Sequence, residues 1–486
     1  MKTNKYAALW LLSGALLAAT SATPAATAEA PVAALKTQAL QDLQTHYAEY
    51  QQIGQRIWGF AEMGYKETKS SALLQEMLRK NGFEVQAGVA DIPTAFVATY
   101  GSGKPVIGIL AEYDALPGLA QQAVAEKSPI AGQNAGHGCG HNLFGTASVA
   151  AGIEIKKLLK EGKLHGTVKV YGCPAEEGGS GKVYLVRAGL FNDVDAVLHW
   201  HPASENATMA GKYIANLSAK FRFHGVAAHA AAAPERGRSA LDAVEAMDNM
   251  VNMMREHVPQ ETRIHYVITN GGKAPNVVPD FAEVYYYVRH PNRDQVKDVF
   301  ARVVKAAEGA ALGTGTTMDY EVIGGTHDLL LNETLARALQ LNLEQVGGVT
   351  YTPEEASFGR QIQASLGFAV PAVETAAAVS PFTTRDGGGS TDVGDVSYVV
   401  PTVGLEAATW IPGTPAHSWQ AVACSGKEVG AKGMMVAAKT MALTAIDLFT
   451  NVDLLRKAQA EFKQDVGTYV YKPLLGDRKP ALNYRD

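Results

Sequence analysis

The chain has 486 residues, 47% of them hydrophobic and 19% charged, with a formal net charge of −5. That length exceeds one ordinary domain, and the apolar share excludes a disordered chain. The slight acidity and the short, scattered basic stretches give no footing for nucleic acid or an anionic membrane surface as partner.

Residues 1–28 do not read as part of a folded core. Lys2 and Lys5 form a basic start, and residues 6–19 form an apolar run shorter than the ~20 residues of a membrane span. Ala26-Thr27-Ala28 then offers a small-x-small cleavage site before Glu29. The expectation is a cleaved signal peptide and a periplasmic or secreted mature protein with no membrane attachment. That compartment permits disulfides, yet there are three cysteines, Cys139, Cys173 and Cys424, so at least one thiol stays unpaired.

After the signal, apolar periodicity predicts a helix over 35–60 and another over 67–80, closed by Asn81-Gly82. Strands follow at 83–85, 94–100 and 106–111. The last, Val-Ile-Gly-Ile-Leu-Ala, is apolar throughout, as befits a strand buried on both faces. It runs into Glu112-Tyr113-Asp114-Ala115-Leu116-Pro117, so carboxylates stand where open α/β sheets carry their sites. A helix at 143–159, a strand at 167–172, a helix at 182–188 and a strand at 196–200 continue the alternation. This predicts an α/β fold, a mainly parallel sheet with helices on both faces.

From about Lys212 the pattern changes to strand 214–223, helix 239–257, strands 262–270 and 282–289, helix 293–312 and strand 317–323. The order β-α-β-β-α-β describes a compact α+β unit inserted into the larger domain. That domain resumes with a helix at 332–346, an irregular stretch at 350–385, a strand at 396–403 and helices at 426–448 and 452–465. The expected division is signal 1–28, larger domain 29–212, inserted unit 213–325, and larger domain again over 326–486.

Chemistry concentrates in Gly136-His137-Gly138-Cys139-Gly140-His141-Asn142, just before the 143–159 helix. Glycines let the backbone approach whatever the side chains hold, and a helix N-terminus favours thiolate. Cys139 and His141 supply a sulfur and a nitrogen, a donor set suited to zinc and open to manganese or cobalt. Glu176-Glu177 follows an apolar strand and precedes Gly178-Gly179; one carboxylate can ligate while its neighbour stays free as a base. His199 and His201 face the same side of a strand, and His201, at its end before Pro202, is the better ligand candidate. His417 comes from the loop Pro412 to Ser418. His224, His257 and His265 suit structural or surface work, whereas His229 sits among small residues that leave room for an approaching group. A binding protein without catalysis would share the export signal and the ligands. It would need neither Glu176 beside Glu177 nor His229 on a second unit.

Taken in order, six segments carry a specific resemblance: Ala111-Glu112-Tyr113-Asp114-Ala115-Leu116-Pro117, His137-Gly138-Cys139-Gly140-His141-Asn142, Glu176-Glu177-Gly178, Trp200-His201-Pro202, Ala228-His229-Ala230 and Gly272-Lys273-Ala274-Pro275-Asn276-Val277-Val278-Pro279. With them the chain resembles the metal-dependent aminoacylase/carboxypeptidase family, in the branch holding aminobenzoyl-glutamate hydrolases and auxin-conjugate amidohydrolases. The resemblance implies Cys139, His141, Glu177, His201 and His417 as ligands of one or two divalent ions, zinc or manganese, with Cys139 able to bridge. It implies Glu176 as general base, Asp114 as the residue orienting a ligand, and His229 as oxyanion donor. Asn276 and Arg289 would hold the substrate carboxylate, and the inserted unit would form a homodimer in which His229 serves the partner's site. Asn142 stands where many relatives carry aspartate, as a mark of the subgroup. The implied reaction is hydrolysis of an N-acyl amino acid, p-aminobenzoyl-glutamate first and indole-acetyl conjugates next. Residues of the 350–385 stretch are the expected lining of the acyl pocket.

Overall fold

The computed structural model describes residues 29–211, 213–384 and 388–485; the expected signal peptide lies outside them. The chain opens with α1 (Glu29–Thr45) and α2 (Tyr47–Phe60), so the single helix predicted over 35–60 is in fact two. The break falls at His46, whose φ of −93° and ψ of 10° leave the helical region. Its ring Nδ1 donates 2.8 Å to the Asp42 carbonyl, which also accepts the His46 amide at 3.2 Å. Then come α3 (Thr68–Lys80), β1 (Glu84–Ala87), β2 (Phe96–Ser102), β3 (Val106–Ala111) and the short pair β4 (Leu116–Pro117) and β5 (Ala135–Gly136). They lead to α4 (His141–Lys160), β6 (Gly166–Gly172), the single turn α5 (Glu176–Gly179), α6 (Gly181–Arg187), β7 (Ala196–Ala203) and β8 (Ala207–Thr208).

The next run is β9 (Ala215–His224), α7 (Ala240–Met254), β10 (Arg263–Asn270), β11 (Phe281–His290), α8 (Arg293–Thr314) and β12 (Thr317–Thr326), the predicted β-α-β-β-α-β order. The chain closes with α9 (Glu333–Val346), α10 (Pro353–Ala364), α11 (Val393–Ser397), β13 (Thr402–Ala408), α12 (Trp419–Ser425), α13 (Glu428–Thr450) and α14 (Val452–Val466).

The larger sheet has the strand order β1-β2-β6-β3-β7-β13-β8. Its centre, β6-β3-β7-β13, is parallel, and antiparallel pairs finish both edges, so the sheet is mixed and mainly parallel as predicted. Helices α4 and α13 cover one face, with side chains such as Ala147, Ile155, Leu443 and Ile446 fully buried. Each large aliphatic side chain so buried contributes about 1.5–3 kcal/mol. Helices α6 and α11 cover the other face through Val183, Leu185, Val393 and Val396. The second sheet, β10-β11-β9-β12, is antiparallel. Along β11 burial alternates: Ala282, Val284, Tyr286 and Val288 lie under α7 and α8, while Tyr285, Tyr287 and Arg289 face a cleft against the larger domain.

Two further expectations are corrected. Residues 396–403 are not one strand: α11 ends at Ser397 and β13 starts at Thr402. The buried positions Val393, Val396 and Val400 are spaced i, i+3, i+7, the period of a helix. The stretch 350–385 is not irregular either, because it contains α10 and a 3-10 turn at Val373–Ala377. Its start is written locally: Thr352 accepts from the Glu355 amide, Glu355 accepts in return from the Thr352 amide, and Pro353 occupies the first turn.

Candidate active site

Parallel strands all deliver their C-terminal ends to one edge, and the polar segments gather there. From the end of β3 come Glu112 and Asp114, from β6 the Glu176-Glu177 turn, from β7 His199 and His201. Cys139 and His141 arrive on the turn that starts α4, and His417 on the loop after β13. The backbone is strained where it turns: Ala175, Ser180 and His417 all hold φ of about +57°. Glu67 secures the first of these by accepting the Ala175 amide at 2.8 Å.

Hydrogen bonds fix the tautomers of two imidazoles. His141 donates Nδ1–H to Asp114 at 2.9 Å, and His201 donates Nδ1–H to the Pro202 carbonyl at 2.7 Å. Both rings therefore turn Nε2 toward the other site residues, that of His141 lying 3.1 Å from Glu112 Oε2. His201 Nε2 lies 3.4 Å from Cys139 Sγ, and His417 Nε2 lies 3.3 Å from Glu177 Oε1. Asp114 also accepts the Glu177 amide at 2.9 Å, tying the two loops together.

The donor atoms fit a divalent cation. Those of Cys139, His141 and His201 lie within 4.8 Å of one another, and so do those of Cys139, Glu177 and His417. Cys139 belongs to both sets. Glu112 Oε2 and His141 Nε2 face each other at 3.1 Å, as Glu177 Oε1 and His417 Nε2 do at 3.3 Å, and among the described residues Glu112 Oε2, His141 Nε2 and Glu177 Oε1 make no well-formed hydrogen bond, an arrangement natural for atoms that would share a cation. Burial, then the charge of Glu177, pushes the Cys139 thiol well above its usual range, a trend that a bound cation would reverse. Burial followed by Glu112 and Glu177 likewise raises Glu176 well above the carboxylate range. Burial also opposes ionisation of Glu177, but the His417 hydrogen bond and the charge of His141 hold it below that range. Adjacent carboxylates are thus driven in opposite directions.

Arg289 lines the same cavity of about 1060 Å³ between the two sheets. Asn276 and His229 do not. Both are exposed on neighbouring loops of the inserted unit, where Ala230 donates to the Asn276 carbonyl and the His229 ring accepts from the Ala231 and Ala232 amides. None of the described residues 350–384 lines this cavity either, so the expected acyl-pocket segment is wrong; Gly389 to Val393 stand there instead. Asn142 is fully buried and donates 3.1 Å bonds to the carbonyls of Gly54 and Ser425, which an ionised aspartate could not do.

Sequence reasoning missed Lys182 and Asp392. Lys182 Nζ lies 2.6 Å from both Glu112 Oε1 and Asp392 Oδ1, all three side chains buried. Burial opposes the ammonium, but Asp392 and Glu112 raise its pKa well above the usual value. The only signal was one lysine in the apolar run Gly181 to Val186. Also missed were Tyr484 and Arg485, which line the cavity from the far end of the chain and which no motif marks.

Comparison with known proteins agrees with this geometry. A family model described as the peptidase dimerisation domain matches residues 215–314, within the stretch that forms the second sheet. The chain is 43% identical to a p-aminobenzoyl-glutamate hydrolase polypeptide of Escherichia coli (strain K12), over 87% of this chain and 93% of that one. It is 30% identical to the Xaa-Arg dipeptidase of Mus musculus over 91% of this chain and 95% of that one. A solved dinuclear metal-binding peptidase of the M20 family from Bacillus subtilis shares the fold with a TM-score of 0.55 at 16% identity, covering 84% of this chain and 99% of that one.

Proposed function

Because this chain belongs to the M20 family of metal-dependent peptidases and amidohydrolases, we propose that it hydrolyses the amide bond of an N-acyl amino acid, with p-aminobenzoyl-glutamate, cut to p-aminobenzoate and glutamate, as its substrate. The observation that carries this reading is the pair Glu176-Glu177. Glu177 faces Cys139 and His417, while Glu176 is held as a high-pKa carboxyl in the same cavity. A carboxyl beside the ligands but outside the two donor sets that share Cys139 suits general acid–base work.

Cys139, His141, Glu177, His201 and His417 would hold zinc or manganese, which when bound would polarise the amide carbonyl and acidify water. The two donor sets that share Cys139 are what supports a capacity for one or two divalent ions. Asp114 fixes the His141 ring so that Nε2 keeps its aim. Glu176 accepts a proton from the attacking water and passes it to the departing amine. Arg289, whose Nε is buried without a partner, grips the carboxylate beside the scissile amide.

His229 and Asn276 lie outside their own cavity, which supports a role in the site of a second copy of the chain. The homodimer would form through the inserted unit, where edge strand β10 exposes Val267 and Ile268 and α7 exposes Met250 and Met253. A substrate ending in arginine is disfavoured, because Arg289 and Arg485 line the cavity and neither pairs with a carboxylate among the described residues. The basic and apolar character of residues 1–28 supports export to the periplasm or beyond, which N-terminal sequencing of the protein recovered from that compartment would check.

The test is turnover of p-aminobenzoyl-glutamate by protein stripped with chelator and reloaded with zinc or manganese, beside an indole-acetyl amino acid. The expected result is metal-dependent release of glutamate, with kcat of Glu176→Ala lower by about 10²–10⁴ while metal content holds. Cleavage of the indole-acetyl substrate alone would replace the acyl group. No turnover of either despite bound metal would sink the reading.

A further inference from the structure

The segment after α14 does not leave the molecule; it runs back along the cleft. Tyr471 donates 2.8 Å to Asp395, and Leu475 is buried under the larger domain. Arg187 donates to the carbonyls of Gly476 and Arg478 at 3.0 and 2.8 Å. Arg478 then reaches the inserted unit, donating to Glu321 at 2.9 Å and to the Ile323 carbonyl. At the end of this path the Tyr484 hydroxyl donates 3.1 Å to the Glu177 carbonyl, and Arg485 Nη2 donates to the same oxygen. The Tyr484 ring packs edge-on against Tyr65, whose hydroxyl donates 2.7 Å to the Gly179 carbonyl.

Two consequences follow from these contacts. First, the strained turn that carries both glutamates is held from outside by the tail. Second, a second guanidinium enters the cavity. Arg485 Nε is buried and unpartnered, as is Arg289 Nε. The two groups border one patch. A Cβ built on Gly178 would stand 3.7 Å from Arg485 Nη2 and 4.0 Å from the Tyr287 hydroxyl, and the Tyr287 ring lies 5.2 Å beneath Arg289. Tyr285 adds its hydroxyl 3.3 Å from that of Tyr287. Two guanidiniums with no carboxylate partner among the described residues, beside two phenols, make a site for two carboxylates.

We propose that the C-terminal tail completes the substrate pocket and that Arg485 is a specificity-determining residue, taking the side-chain carboxylate of an acidic amino-acid moiety while Arg289 takes the α-carboxylate. The assignment of Arg289 rests on the function proposed above; that of Arg485 rests on the tail. A neutral isostere such as glutamine would leave Arg485 without an anion in a partly dry site.

The experiment measures binding of glutamate and glutamine by calorimetry to the metal-loaded full chain, for wild type, Arg485→Ala, Arg485→Lys and Tyr484→Phe. Wild type is expected to prefer glutamate by about tenfold or more, Arg485→Ala to lose that preference, and Arg485→Lys to regain part of it. Tyr484→Phe removes only a bond to the glutamate turn, so it is expected to keep the preference and to lower kcat for p-aminobenzoyl-glutamate and p-aminobenzoyl-glutamine together. Circular dichroism and metal content identify any variant that fails to fold. Equal preference in wild type and Arg485→Ala, or no preference in wild type, overturns the proposal. Arg485-dependent glutamate binding without turnover of p-aminobenzoyl-glutamate would instead reject the acyl assignment and leave Arg485 in place.

Discussion

At the scale of single residues, the site depends on side chains that act through others. Asp114 touches His141 and the Glu177 amide, so its loss frees one proposed ligand to rotate and loosens the loop of another. Asp114→Asn is expected to weaken metal binding by about 10–100-fold, measured by competition with a chromogenic chelator. Unchanged affinity would mean that packing alone orients His141. Lys182 neutralises Glu112 and Asp392, and all three side chains are buried. Lys182→Met would strand both carboxylates, and a loss of about 3–5 kcal/mol in urea unfolding is expected. If the loss is real, adding Asp392→Asn to that variant should recover part of it, because one of the stranded charges is then gone.

Among the elements, α4 carries both the site and a pH-dependent weakness. Its N-terminal turn brings in His141, while two-thirds of the way along, Glu154 is buried with Oε1 unpartnered. Burial, then the nearby charge of Asp42, pushes the Glu154 carboxyl up to about 8, against the pull of Lys157. Above the ordinary value of 4.5 the unfolded chain releases this proton, while the folded chain keeps it until about pH 8. Stability therefore falls as pH rises through that window, and the cost is fully present above it. Glu154→Gln is expected to unfold at a higher temperature than wild type at pH 8.5 and at nearly the same temperature at pH 4.5. The gain is on the order of a few kcal/mol at most. A Tm difference that does not depend on pH would show that Glu154 is not the group responsible.

For the whole molecule, the cleft is flanked by a sheet on each side and by the tail that touches both, while His229 and Asn276 are exposed and do not line it. If those two serve a partner's cavity, inactive variants should complement each other. A mixture of Glu176→Ala and His229→Ala, unfolded and refolded together, is expected to recover part of the wild-type activity, since mixed dimers hold one intact site. Each variant refolded alone should stay inactive. Analytical ultracentrifugation would show whether mixed dimers formed, so an inactive mixture containing them would refute the shared site.

Much of this was legible in the residues themselves. The alternation of strand and helix, the β-α-β-β-α-β insertion and the loops bearing Cys139, His141, Glu176, Glu177 and His201 are local patterns, because each loop directly follows a strand or precedes a helix whose period the sequence displays. The cap of α10 was equally local, written in Thr352, Pro353 and Glu355, yet the expectation for 350–385 is an irregular stretch. Other features depend on distance in space. Nothing near Lys182 in the chain announces Asp392, 210 residues away, and nothing near Glu177 announces Arg485, 308 residues away. The helical turn at Val393 to Ser397 also had to wait for the packing of α11 on α6. Chain order determined the parallel sheet and the chemistry at its edge, since period and turn type are properties of neighbouring residues. Only the tertiary structure decided which charges are paired, which guanidiniums reach the cleft and which segments line it, because those follow from burial and from contacts between remote segments.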